Sequence, residues 1–227
     1  MDQPVLIPRA RLTTPRAAAI AGILFSVLLL ASLVLVRVSV PPDLQEAGTW
    51  LSDSWKTVNL ALNLVPFAGI AFLWFIGVVR DRIGEYEDRL FATVFLGSGL
   101  LFLAMLFTSA AVAGGIISMY GTTPAMLIES GLYTFGRTLT YELMTVYTMK
   151  MAGVFMITTC TLSLRTGIFP RWMAFLGIVL ALFLLLSIGF FDWSPVVFPL
   201  WILLISVHIL LANLRRSTSE PIPTTRS

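Results

Sequence analysis

The apolar residues of this chain run in long blocks separated by short polar connections, and six blocks stand out: 17–36, 57–79, 91–118, 138–164, 172–191 and 195–214. Crossing a hydrocarbon layer roughly 30 Å thick takes about 20 predominantly apolar residues, a length that each block reaches. Peptide groups in hydrocarbon find no water, so each block must close its hydrogen bonds internally as a helix. The alternation over roughly ten residues that marks a membrane barrel is absent. The pattern predicts an all-α polytopic membrane protein of six transmembrane helices in one bundle over 17–214, with an arm over 1–16 and a tail over 215–227.

The connections carry start signals. Asp43 with Glu46 three residues on forms a capping pair, and Trp50 and Trp55 follow where an aromatic belt belongs, which predicts a short interfacial helix leading into the second span. Thr123-Pro124, a cap residue with proline at the first helical position, predicts a second surface helix, and Ser194-Pro195 opens the last span in the same way. On the third span Thr93, Gly97, Ala104, Thr108, Ala111 and Gly115 share one line, a small-residue stripe of the kind that lets helix backbones approach. It is expected to make this a central packing helix, with a substrate path along the stripe as the alternative.

Composition agrees: of 227 residues 57% are apolar and 12% charged, which no soluble domain matches. Charge then sets orientation, because Lys and Arg concentrate in cytoplasmic connections. Arg9, Arg11, Arg16, Arg80, Arg82, Arg89, Arg165, Arg171, Arg215, Arg216 and Arg226 fall on one side, and Arg37, Lys56 and Arg137 on the other. Both termini are therefore expected in the cytoplasm. The net charge of +3 follows from this bias, with no nucleic-acid partner implied. Arg9, Arg11 and Arg16 before an apolar run also fit a secretory signal, but no small-x-small cleavage pattern precedes Arg37, so a retained signal anchor is expected.

The feature that demands chemistry is Lys150, inside the fourth block. Eight residues, about 12 Å, separate it from Glu142 even if hydrocarbon begins there, and an ammonium at depth costs at least about 2.5–3.5 kcal/mol. On a straight helix Glu142 lies about 80° away, so the partner must be water, a ligand or another helix. Asn59 and Asn63 of the second span and Thr108 of the third lie at similar depth, and with Tyr141, Glu142, Tyr147 and Lys150 they form a candidate polar cavity open to the outside. A closed hydrogen-bond network that only fixes helix packing, and snorkelling of Lys150 along a groove, are the other readings. A retinal-type Schiff base is disfavoured, since the rhodopsins place that lysine on a seventh helix.

Other residues offer less. Met149, Met156 and Cys160 form a sulfur stripe that reads as packing rather than copper ligation. His208 reads as a neutral packing residue, and one histidine cannot supply bis-histidine haem ligation. Gly77, Asp81, Arg82 and Gly84 resemble the loop between the second and third helices of major facilitator transporters; the resemblance implies an inner gate at Asp81 and Arg82. Glu85 and Tyr86 depart from it, where basic residues are expected. Gly167, Pro170, Arg171 and Trp172 before the fifth span resemble a group of small bacterial multi-pass membrane proteins of unassigned function, which implies a bacterial membrane protein; the expected location is the bacterial inner membrane.

No nucleotide-binding glycine loop, metal-ligand cluster or Ser-His-Asp set occurs, so neither enzyme activity nor a cofactor is expected. Two readings stay open. One is an accessory or structural subunit of a bacterial membrane assembly, packing on partner helices or on its own copies. The other is binding or transport of a small anionic solute or a lipid through the cavity around Lys150.

Overall fold

The computed structural model describes residues 14–41, 50–83, 89–167, 169–186 and 193–218, and among these every regular element is helical. Helix α1 spans Thr14–Ser39, α2 Trp50–Ile83 and α3 Arg89–Thr122; the short α4 spans Pro124–Glu129 and α5 Leu132–Glu142. A π-helical segment, Leu143–Thr148, joins α5 to α6 at Met149–Thr166, followed by α7 at Arg171–Leu186 and α8 at Ser194–Thr218. Among the described residues, five helical stretches are long and apolar enough to cross a membrane: Arg16–Ser39, Trp50–Arg80, Leu90–Thr122, Leu132–Thr166 and Ser194–Arg215. Helix α7, where the fifth of the six spans is expected, is apolar but has 16 described residues, about 24 Å at the helical rise.

Local signals place several boundaries. Pro124 opens α4 behind Thr123, although the threonine hydroxyl makes no capping bond. Gly167 ends α6 in the left-handed conformation (φ 68°) that a β-carbon penalises, and its N–H closes on the Ser163 carbonyl at 2.7 Å. Trp50 and Trp55 lie within α2 itself; the proposed cap at Asp43 and Glu46 falls outside the described residues.

Phenylalanine fills the centre of the bundle. Phe72 of α2 has its ring centroid 4.6 Å from Phe25 of α1, 5.2 Å from Phe102 of α3, 5.2 Å from Phe155 of α6 and 5.6 Å from Phe198 of α8. All five are fully buried. Around this hub α1 packs mainly on α2 and α8, α3 on α6, α2 and α5, and α7 chiefly on α6. Glycines mark the closest approaches: a β-carbon on Gly177 of α7 would meet the Cys160 sulfur and the Trp201 indole, and one on Gly153 of α6 would meet Leu185 and the Ala181 carbonyl.

The aromatic hub also decides which face of α3 turns inward, and it is not the small-residue stripe. Phe95, Ser98, Gly99, Phe102, Leu106 and Ser109 are buried, whereas Thr93, Ala104, Thr108, Ala111 and Gly115 are exposed and Gly97 is half-buried. Nothing lies within 4 Å of a β-carbon built on Gly97 or Gly115. Phe95, Phe102 and Leu106 fill the interior, with Ser98, Gly99 and Ser109 on the same face, and the phase of that face turns the stripe outward.

Candidate functional site

A cavity of about 300 Å³ opens where α1 ends and α2 begins. Leu29, Leu33 and Val36 of α1, Val58, Leu62 and Val65 of α2, and Leu106, Ala110 and Ala113 of α3 form its apolar walls. Tyr133, Arg137 and Tyr141 of α5 and Met144 and Thr145 of the π-helical segment close it, with Trp193, Pro195 and Val196 at the start of α8. It runs from Pro41 at the mouth to Leu29 at the floor, twelve residues of chain or about 18 Å. The floor is the edge of the aromatic hub, because Leu29, Val65 and Leu106 belong to the same buried cluster as Phe25 and Phe72.

The hydroxyls in this wall are already engaged. Ser32 donates across to the Ala61 carbonyl at 2.8 Å and Ser109 to the Thr140 carbonyl at 2.9 Å. Thr140 and Thr145 donate back to Gly136 and Tyr141, four residues earlier, at 2.8 and 2.7 Å. Hydroxyls bound to main-chain carbonyls present mostly carbon to the space they line. An apolar chain is therefore a better match for the body of this cavity than an aqueous solute.

Polarity is concentrated at the mouth, in one connected set. Trp50 Nε1 donates to Tyr133 Oη at 2.8 Å, Arg137 Nη1 donates to the same oxygen at 3.1 Å, and Arg137 Nη2 donates to the Pro41 carbonyl. Both α5 residues are nearly buried, Tyr133 at 3% exposure and Arg137 at 8%. Arg37 stacks over Trp193 at 5.9 Å, and both also line the cavity. No family model, no curated protein and no solved structure matches this chain. The reading of the site therefore stands on its own chemistry.

The residues of the sequence-predicted cavity are dispersed by the fold. Tyr141 lines the cavity just described. Asn59 lies in a separate surface recess between α2 and the end of α3, with Trp55, Ser118 and Gly121. Asn63 is exposed and donates to the Asn59 carbonyl at 2.8 Å, and exposed Thr108 donates to the Ala104 carbonyl at 2.7 Å. A side chain that bonds the carbonyl one turn back has no need of an interior partner, which is why these polar residues can face outward. Glu142 and Tyr147 are exposed as well. Asp81 and Arg82 fall in the last turn of α2, where their side chains lie outside the described residues.

Lys150 turns to another helix. Its ammonium donates to the carbonyl of Leu185 in α7, and the residue is half-buried. The straight-helix angle to Glu142 does not hold, because the π-helical segment takes in an extra residue, about 100° of rotation, between them. The Thr148 hydroxyl bonds the Leu143 carbonyl five residues earlier, at 2.7 Å, within this segment.

Sequence reasoning missed Arg137. A fourth span at 138–164 leaves it in a connection, where it counts only toward topology. The signal was present: Tyr133, Arg137, Thr140 and Tyr141 stand at i, i+4, i+7 and i+8, one face of a helix that starts six residues earlier, at Leu132. Met149, Met156 and Cys160 are buried in the main core cluster, and among the described residues no group of His, Cys, Asp and Glu could hold a metal.

Proposed function

We propose that this chain is an integral membrane protein that binds a molecule with an apolar chain, taken from the surrounding bilayer into the cavity between α1, α2, α3 and α5. The observation that carries the reading is a 300 Å³ space walled by aliphatic side chains whose neighbouring hydroxyls are bound to main-chain carbonyls. That volume lies at the lower end of the range for small-molecule sites, roughly 300–1,000 Å³. In the proposed topology the chain crosses a bacterial cytoplasmic membrane six times with both termini inside, which puts the mouth at the outer face. Support comes from the distribution of arginines and from the apolar run that continues past α7 through residues 187–191 of the sequence.

The test is native mass spectrometry of protein extracted in mild detergent, stripped of lipid and incubated with decanol. One adduct per chain is expected, and Ala113→Phe, which fills the cavity from α3, is expected to abolish it. Absence of a saturable adduct on the wild type, or an adduct indifferent to the plug, overturns the reading.

A second reading, an accessory or structural subunit of a membrane assembly, is favoured by a different observation. The outward stripe Thr93, Gly97, Ala104, Thr108, Ala111 and Gly115 offers a partner helix a close backbone approach. Stoichiometric co-purification with another membrane protein is its expected consequence.

A further inference from the structure

Resting on the cavity reading above, we infer that the ligand is an anionic amphiphile whose carboxylate or phosphate is held by Arg137 and Tyr133 at the mouth while its chain lies toward Leu29 and Val65. A guanidinium has five N–H groups and no acceptor. Arg137 places one on Tyr133 and one on Pro41. The other three meet no protein acceptor among the described residues, and no carboxylate there pairs with the charge.

Tyr133 sharpens the imbalance. Its oxygen accepts from both Trp50 and Arg137, and neither an indole N–H nor a guanidinium N–H can accept in return. The phenol hydrogen is thus left to donate elsewhere. Four hydrogens, three on Arg137 and one on Tyr133, are thus left over on two residues that line an apolar cavity and are more than nine-tenths buried. A buried cation met, among the described residues, only by neutral oxygens is costly to maintain, and an anion with two oxygens is the group that balances both its charge and its fork. Trp50 holds the phenol in place from α2, so the donors are oriented before any ligand arrives.

The length of the site sets the rest of the ligand. At the roughly 30 Å³ that a water occupies in the liquid, the cavity takes on the order of ten heavy atoms. A single medium chain, or the upper part of a longer one, fits that space. A phospholipid and a free fatty acid both carry the required chemistry, as phosphate and carboxylate.

The experiment titrates the delipidated full chain, in the same mass-spectrometric assay, with decanol, decanoate, decyl phosphate and decyltrimethylammonium. Decanoate or decyl phosphate is expected to bind at least about tenfold more tightly than decanol, the tighter of the two naming the source, and the ammonium compound is expected to bind more weakly than decanol. Arg137→Gln is expected to abolish the anion preference and to keep decanol binding, which also shows that the variant folds. Arg137→Lys, charged but without the planar fork, is expected to retain part of the preference. Equal affinity for decanol and both anions overturns the inference and leaves the cavity reading intact, as does a preference that survives in Arg137→Gln. No binding of any of the four overturns both.

Discussion

The ammonium of Lys150 donates to the main-chain carbonyl of Leu185, the penultimate residue of α7. An ammonium in hydrocarbon requires an oxygen, and here a main-chain carbonyl of the neighbouring helix supplies it. The charged hydrogen bond ties α6 to α7. Lys150→Met is expected to lower stability by about 1.5–3 kcal/mol, the range for a hydrogen bond to a charged group, and to speed amide exchange in the last turn of α7. Unchanged melting and exchange would remove this role for the Lys150–Leu185 bond.

Phe72 touches four other rings of the hub, so its truncation leaves a void that α1, α3, α6 and α8 cannot all close. Phe72→Ala is expected to cost about 3–5 kcal/mol, read as a large fall in melting temperature in detergent. A loss under about 1 kcal/mol would mean that the hub collapses freely.

Gly177 and Gly115 should respond in opposite ways to the same change. Gly177→Leu drives a side chain into Cys160 and Trp201, and overpacking of this kind costs about 1–3 kcal/mol or more. Gly115→Leu meets open space and is expected to stay within about 0.5 kcal/mol of the wild type. If a partner helix docks on α3, Gly115→Leu abolishes co-purification of the partner at unchanged stability of the chain, which tests the assembly reading.

Ser206 is fully buried on α8, and its hydroxyl has no hydrogen-bond partner among the described residues. Removing an unsatisfied buried hydroxyl relieves its desolvation penalty, about 1–3 kcal/mol in full. Ser206→Ala is expected to raise the melting temperature slightly or leave it unchanged. A clear fall would show that the hydroxyl has a partner.

Tyr133 accepts from two donors at once, so Tyr133→Phe strands the Trp50 indole and part of the Arg137 guanidinium. A loss of about 1–3 kcal/mol is expected, measured by thermal melting without ligand. Trp50→Phe strands no cation and is expected to cost less.

How far the sequence could be read differs between fold and site. Helices α1, α2, α3 and α8 cover the predicted blocks with a few residues added at each end, because apolar length in a membrane leaves the backbone one hydrogen-bonding solution. The fourth block was recognised, but its start was not, since Leu132 to Arg137 is polar enough to pass for a connection. That error hid the arginine at the mouth of the cavity. The inward need of Lys150 was legible as well, because an ammonium in hydrocarbon requires an oxygen. Which oxygen was not.

The sequence by itself determined an all-helical membrane chain, its long apolar helices and the few polar residues that require partners there, all of which follow from the free energy of peptide and charged groups in hydrocarbon. Only the tertiary structure decided that Asn63 and Thr108 turn outward, that Lys150 bonds to α7, and that Arg137, Tyr133 and Trp50 meet above an apolar space. The reason is that helix faces are chosen by volume and by phase. Five phenylalanines claim the centre, and the π-helical segment rotates everything beyond it by about 100°, neither of which a straight-helix projection contains.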